Sequence, residues 1–313
     1  MIVTQAATES GATVVAGNQE PVAAAPADRA PQQQFRYAHE AIAWHFDGIP
    51  PDQLIAVSRK FPGHMRADLQ VAIDRLFSVS PVRFFGIHEP YRYETVSFAS
   101  LTQQGKNADT IAPAQYVEVD IGEDMPVRCL HNGLWLCRDG DLPYAAVLSM
   151  HREFREESGA CVEIAIPAGE AASVFAQKCF SHLEAAIKAA RSYRGKVLSL
   201  EADVDYNGRS RGVTVHRLPP VARGEVILPA GTMKLLDRNV FRFIENRDRL
   251  RRLGQSTRKG ILLYGPPGTG KTHTIRYLAS NLPDHTTLII TAGQIGLLAI
   301  YMNLARLLQP TMV

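Results

Sequence analysis

The sequence predicts an α/β chain, an α+β amino-terminal domain over residues 35–215 followed by part of a parallel-sheet domain over residues 225–313. Three observations carry this expectation. Apolar residues at helical spacing alternate with short β-branched runs as far as residue 200. Turn chemistry then collects at Asn207-Gly208, Pro219-Pro220 and Gly224. Beyond it comes an apolar run, a glycine-rich loop and a helical pattern in immediate succession. A length of 313 residues suits two domains.

The elements follow in order. Residues 1–34 read as a disordered tail, because Ala6 to Gln34 is rich in Ala, Pro and Gln and has no aromatic side chain. Order is expected to begin at Phe35, Tyr37, Trp44 and Phe46, whose burial would be large, and Ile49-Pro50-Pro51 ends that element. After Pro62-Gly63, the spacing of Met65, Leu69, Ile73, Leu76 and Phe77 predicts an amphipathic helix. Tyr116–Val119, Tyr144–Ser149 and Cys161–Ile166 read as strands. Ala171, Val174, Phe175, Cys179, Leu183, Ile187 and Ala190 would line one face of a longer helix reaching about Tyr193, with a strand at Lys196–Leu200. No internal repeat and no catalytic motif stands out in this domain.

Composition narrows the function classes. With 46% hydrophobic, 21% charged and 8% aromatic residues, the chain falls among ordinary globular proteins. Its net charge of +3 does not call for a nucleic acid or an anionic membrane. Cys129, Cys137, Cys161 and Cys179 form no CxxC pair and have no histidine at finger-like spacing, so buried free thiols in a reducing compartment are expected. The first basic residue is Arg29, which argues against a secretory signal and for a cytoplasmic location. Thr286 to Ala305 runs twenty residues without a charge, but its three Thr, two Gly, one Gln and one Asn predict a strand, a loop and a helix rather than a membrane span. His39 and His45 are six apart, which is the wrong spacing for metal ligation from one helix face. His151, Glu153, Glu156 and Glu157 read as a solvated turn.

Between Lys234 and Lys259 nine basic residues stand against three acidic ones. Val240, Phe241, Ile244 and Leu250 keep helical spacing through this stretch, so the basic side chains would form the outer face of one helix, solvated or in contact with another subunit. Nucleic acid is the weakest of the three readings.

The chemistry is concentrated in Gly265-Pro266-Pro267-Gly268-Thr269-Gly270-Lys271-Thr272, which fits the G-x-x-x-x-G-K-[ST] pattern of a phosphate-binding loop. Gly260 to Tyr264 reads as a buried parallel strand before it, and Thr272 to Asn281 as a helix after it. Glycines allow tight turning and close approach of the backbone, whose N–H groups then converge on an anion at the positive end of the helix. Lys271 would add a charge at the β and γ phosphates, and the Thr272 hydroxyl would be a magnesium ligand. The expected ligands are therefore ATP and Mg2+, bound by Gly265 through Thr272, with Lys271 as the catalytic side chain.

Gly260 to Thr272, preceded by Arg258-Lys259, closely resembles the Walker A segment of the AAA branch of the AAA+ ATPases. The resemblance extends over about Val226 to Val313, under a third of the chain, and the amino-terminal domain takes no part in it. It implies an ATP hydrolase that remodels a protein or complex, a homo-oligomeric ring, and an amino-terminal domain that recruits a substrate or adaptor. Nucleic acid and membrane are not among the implied partners. In this family the parallel strands are ordered 5-1-4-3-2, which keeps Ile261–Tyr264 and Leu288–Thr291 apart.

The chain departs from the family at two places. The stretch from Ala292 to Tyr301 is shorter than an aromatic pore loop, which tells against threading. Thr311-Met312-Val313 resembles the first residues of the Walker B strand, so the acid pair, the sensor asparagine, the arginine finger and the helical lid fall outside the sequence. The expectation is a piece truncated before Walker B that binds ATP without hydrolysing it, with residues 225–313 readily cleaved by protease. A clamp-loader-like protein at DNA, a small-molecule kinase and a non-enzymatic nucleotide-binding module are the competing readings.

Overall fold

A computed structural model describes residues 34–77, 81–88, 95–153, 156–200 and 212–313. The tail as far as residue 33 and the Asn207-Gly208 turn lie outside the described residues.

The amino-terminal region is an antiparallel sheet covered by helices on both faces. In chain order it comprises α1 (Ala38–His45), β1 (Leu54–Pro62), α2 (Arg66–Phe77), β2 (Pro81–His88), α3 (Phe98–Leu101), β3 (Thr110–Ala112), the ribbon β4 (Tyr116–Val119) and β5 (Val127–Leu130), β6 (Gly133–Asp139), β7 (Leu142–Glu153), β8 (Glu156–Pro167) and α4 (Glu170–Ala189). The six-stranded sheet has the order β1-β8-β7-β6-β2-β3. Because side chains alternate across a strand, its two faces feed two cores. Trp135, Cys137, Tyr144, Ala146, Leu148, Val162, Ile164 and Ile166 pack under Leu69, Ile73 and Phe77 of α2 and Ala176, Phe180 and Leu183 of α4. Leu134, Leu136, Ala145, Val147 and Ala165 meet Ala38, Ala41 and Ile42 of α1 on the other side. Burial on both faces explains the continuous apolar runs, a pattern more usual in parallel sheets.

α2 and the strand at 197–200 form where the sequence predicts them. The buried face of α4 is rotated from the expected one. Ala172, Ala176, Cys179, Phe180, Leu183 and Ile187 are buried and Phe175 packs against the same core, whereas Val174 is 71% exposed. Phe46 is buried but Trp44 is half exposed, its ring tilted against Phe35 and beneath the Arg83 guanidinium. His45 is buried with Nε2 3.1 Å from the Tyr144 carbonyl, while His39 stacks on Tyr37, so the two histidines serve separate local contacts. The four residues expected in a turn lie in strands, His151 and Glu153 in β7 and Glu156 and Glu157 in β8, where Glu153 pairs with Glu156 and the register shifts between His151 and Arg152. All four cysteines are buried free thiols, and burial lifts Cys129, Cys161 and Cys179 to about 11 and Cys137 to about 12.

The second sheet draws strands from both sides of the turn-rich stretch. Its order is β10-β9-β11-β12, with β9 (Val197–Leu200), β10 (Val213–His216), β11 (Thr286–Leu288) and β12 (Thr311–Met312). β11 runs parallel to both β9 and β12. The expected strand at Leu288–Thr291 thus begins and ends earlier, where β-branched Thr286 and Thr287 find partners on either side. Between β10 and β11 come α5 (Ala230–Leu236), a π turn over Asp237–Phe241, α6 (Arg242–Glu245), α7 (Arg247–Arg252) and α8 (Lys271–Ser280). α9 (Leu298–Leu307) follows β11. Tyr301, Leu304 and Leu308 close one core with Leu198, Leu200 and Leu288. Leu236 and Val240 close another with Tyr277, Leu278 and Leu282. The basic stretch is therefore a broken series of helices rather than one, with Lys234, Arg238, Arg242, Arg249, Arg251 and Arg252 exposed.

One expected strand is absent. Gly260 to Tyr264 pairs with no strand among the described residues, and Leu262 and Tyr264 are 88% and 95% exposed. Its apolar run is that of a buried strand, but the sheet β10-β9-β11-β12 is assembled without it.

Candidate functional site

The glycine-rich loop owes its course to its glycines. Gly268 and Gly270 have φ of +79° and +82°, left-handed values at which a side chain is strained. A Cβ at either would meet no protein atom within 4 Å, so the requirement is conformational rather than steric. Gly270 caps the start of α8, whose first-turn N–H groups have no intrahelical acceptor and point out of the helix end.

Lys271 gathers the loop around its ammonium group. Nζ donates to the carbonyls of Gly265 at 2.8 Å and Pro266 at 2.6 Å and lies 3.5 Å from Thr269 Oγ1. The Thr269 hydroxyl donates in turn to the Pro266 carbonyl at 2.8 Å. The structure thus brings Gly265, Pro266, Thr269 and Lys271 together, with Gly268 and Gly270 supplying the turns. Pro266, Pro267 and Thr272 are exposed, Thr272 in the first turn of α8. The cation and the helix end are both positive, and together they suit a polyanion.

Several supports were not legible in the motif. Thr274, buried one turn on, donates from Oγ1 to the Gly270 carbonyl at 3.0 Å and locks the helix start. His273 Nε2 lies 3.2 Å from the Glu225 carbonyl, tying α8 to the segment before α5. That segment is anchored by a bidentate pair, Arg223 to Asp237, with both contacts at 2.6 Å. The pair holds the Asp237 carboxyl below its usual range. Only the arginine and aspartate could have been suspected from sequence, and nothing in their spacing links them.

Comparison with known proteins bears on this segment. Residues 261–307 match the model of the ATPase family associated with various cellular activities (AAA). The segment belongs to the AAA family of ATPases. A probable mitochondrial chaperone BCS1-B of Dictyostelium discoideum is 41% identical over 69 residues, covering 22% of this chain and 15% of that protein. An AAA-ATPase of Arabidopsis thaliana is 30% identical over 96 residues, covering 31% of this chain and 19% of its own. Another Arabidopsis thaliana protein, HYPER-SENSITIVITY-RELATED 4, is 46% identical over 41 residues, 13% of this chain and 7% of its own. The chain thus spans less than a fifth of the length of these relatives, and the likeness to the AAA family is centred on the loop and the elements after it.

Proposed function

We propose that this chain belongs to an AAA-type ATPase that remodels a protein or complex, and that it binds Mg-ATP through Gly265 to Thr272. The observation that carries the reading is the glycine-turned loop wrapped around the Lys271 ammonium at the start of α8, inside the segment of AAA-family sequence. The Lys271 ammonium and the positive end of α8 converge on one place and suit the charge of a triphosphate. Lys271 would exchange its carbonyl contacts for phosphate oxygens, and first-turn N–H groups of α8 would donate to the same anion. Among the described residues no group of three or more His, Cys, Asp or Glu could hold a metal. Thr272 would accordingly share magnesium with the nucleotide's own oxygens. Bound Mg-ATP would supply the phosphoryl group and the metal charge that draws electrons from it; this chain binds and orients it.

A homo-oligomeric ring, a cytoplasmic setting and recruitment of a protein partner by residues 35–215 are further parts of this proposal. The ring and the recruitment rest on the likeness to the family, chaperone-like action on the name of the Dictyostelium relative, and the cytoplasmic setting on the four free thiols alone.

Titration of the full chain with a fluorescent ATP analogue tests the site. Lys271→Ala should weaken binding roughly ten- to 150-fold, the equivalent of a charge-assisted contact of about 1.5 to 3 kcal/mol. Equal affinity in the variant would overturn the assignment.

A further inference from the structure

The end of β9 is held by side chains of the AAA segment. The backbone ladder from β9 to β11 runs from the Thr287 N–H, which donates to Lys196 O at 2.9 Å, to the Ile289 N–H, which donates to Leu198 O at 2.8 Å. Leu200 lies beyond the reach of that ladder and is buried. A buried strand end must still satisfy its amide. Its N–H donates to the Tyr301 hydroxyl at 2.7 Å, and its carbonyl accepts from Gln294 Nε2 at 2.6 Å. The same Gln294 amide oxygen accepts from the N–H and the hydroxyl of Thr291, both at 3.0 Å. One glutamine therefore joins the end of β9 to the turn leaving β11.

The opposite end of β9 is fixed differently. The Arg194 guanidinium donates to Lys188 O and Ala190 O at the end of α4, and to Leu307 O and Gln309 O at the end of α9. The Gly195 N–H donates to Thr286 Oγ1, which itself donates to Leu308 O. These contacts clamp helix ends together. The phosphate loop reaches the same sheet through α8, whose Tyr277 and Leu278 share a core with Leu282 and Met312, the latter in β12 beside β11. A shift of α8 must displace Met312, and with it the strand paired to β11, or break that core, because packed cores do not deform continuously.

We propose that Gln294 and Tyr301 are positioning residues that transmit nucleotide occupancy of the phosphate loop to β9 and β10, coupling the amino-terminal region to the ATPase segment through the two hydrogen bonds at Leu200. This coupling rests on the ATP-binding reading above.

Hydrogen exchange on the full chain, with and without saturating Mg-ATP, tests it. In the wild type, nucleotide should slow exchange both in α8 and at Leu198, Leu200 and the β10 amides, the latter by about 5- to 150-fold, the usual range of coupling between two sites. Gln294→Ala removes a half-exposed side chain and Tyr301→Phe keeps the ring. In both, slowing in α8 should persist while slowing at β9 and β10 largely disappears. A purely structural role for the two residues would raise exchange at β9 equally with and without nucleotide, leaving the nucleotide-dependent difference unchanged, and would overturn the coupling. Slowing confined to α8 in the wild type would also overturn the coupling while leaving ATP binding intact. No slowing in α8 at all would remove the ATP-binding reading and the coupling with it.

Discussion

Single residues set the local chemistry, and the sequence announced some of them better than others. Lys271 and the loop glycines were legible because their spacing is dictated by the geometry of a phosphate, whatever surrounds it. Thr274, His273 and Gln294 were not, since each acts through a backbone carbonyl whose position depends on the folded chain. His64 is another such residue. It is 6% exposed, and its Nε2 has no hydrogen-bond partner among the described residues; burial lowers its pKa from 6.5 to about 4. The folded state therefore resists protonation that the unfolded chain accepts. The stability it contributes is complete above pH 6.5 and is lost as pH falls toward 4. Burial raises the carboxyls of Asp68 and Glu163, which acts in the opposite sense, so the difference between variant and wild type is the informative quantity. Urea denaturation from pH 7 to 4 should show His64→Gln losing roughly 3 kcal/mol less than the wild type. Parallel curves would show that His64 does not titrate as described.

Among the elements, the long periodic helices were the readable ones. α2 and α4 carry a 3.6-residue repeat over three or more turns, and a sheet below them selects which part of the stripe is buried. Gly260 to Tyr264 failed as a strand for the complementary reason: an apolar run states that burial is wanted, not that a neighbouring strand is available. β9 shows the same dependence, for its four residues complete a sheet with strands more than eighty residues away. Leu198, fully buried in that sheet, should cost about 2 to 5 kcal/mol when changed to Ala. Thermal or chemical melts followed by separate probes in α2 and α9 would reveal whether both regions feel the loss. A change confined to α9 would contradict the shared core.

At the scale of the whole molecule, the notable feature is the integration of the amino-terminal region with the AAA segment. The sequence suggested a vulnerable stretch over residues 225–313, yet Thr286 to Leu308 packs on β9 with Tyr301 and Leu304 buried, while exposure is concentrated in residues 251–273. Brief trypsin treatment should therefore cut first at Arg251, Arg252, Arg258 and Lys259 and spare Arg306, as mass spectrometry of the fragments would reveal. Early cleavage at Arg306 would mean that α9 does not hold to the sheet.

On the reading proposed above, the loop at the start of α8 recognises phosphate. Calorimetric titration of the full chain with ATP, ADP, AMP and adenosine in the presence of magnesium addresses it most directly. Affinity should fall stepwise as the γ and β phosphates are removed, with AMP and adenosine binding weakest. Adenosine or AMP binding as tightly as ATP would contradict it.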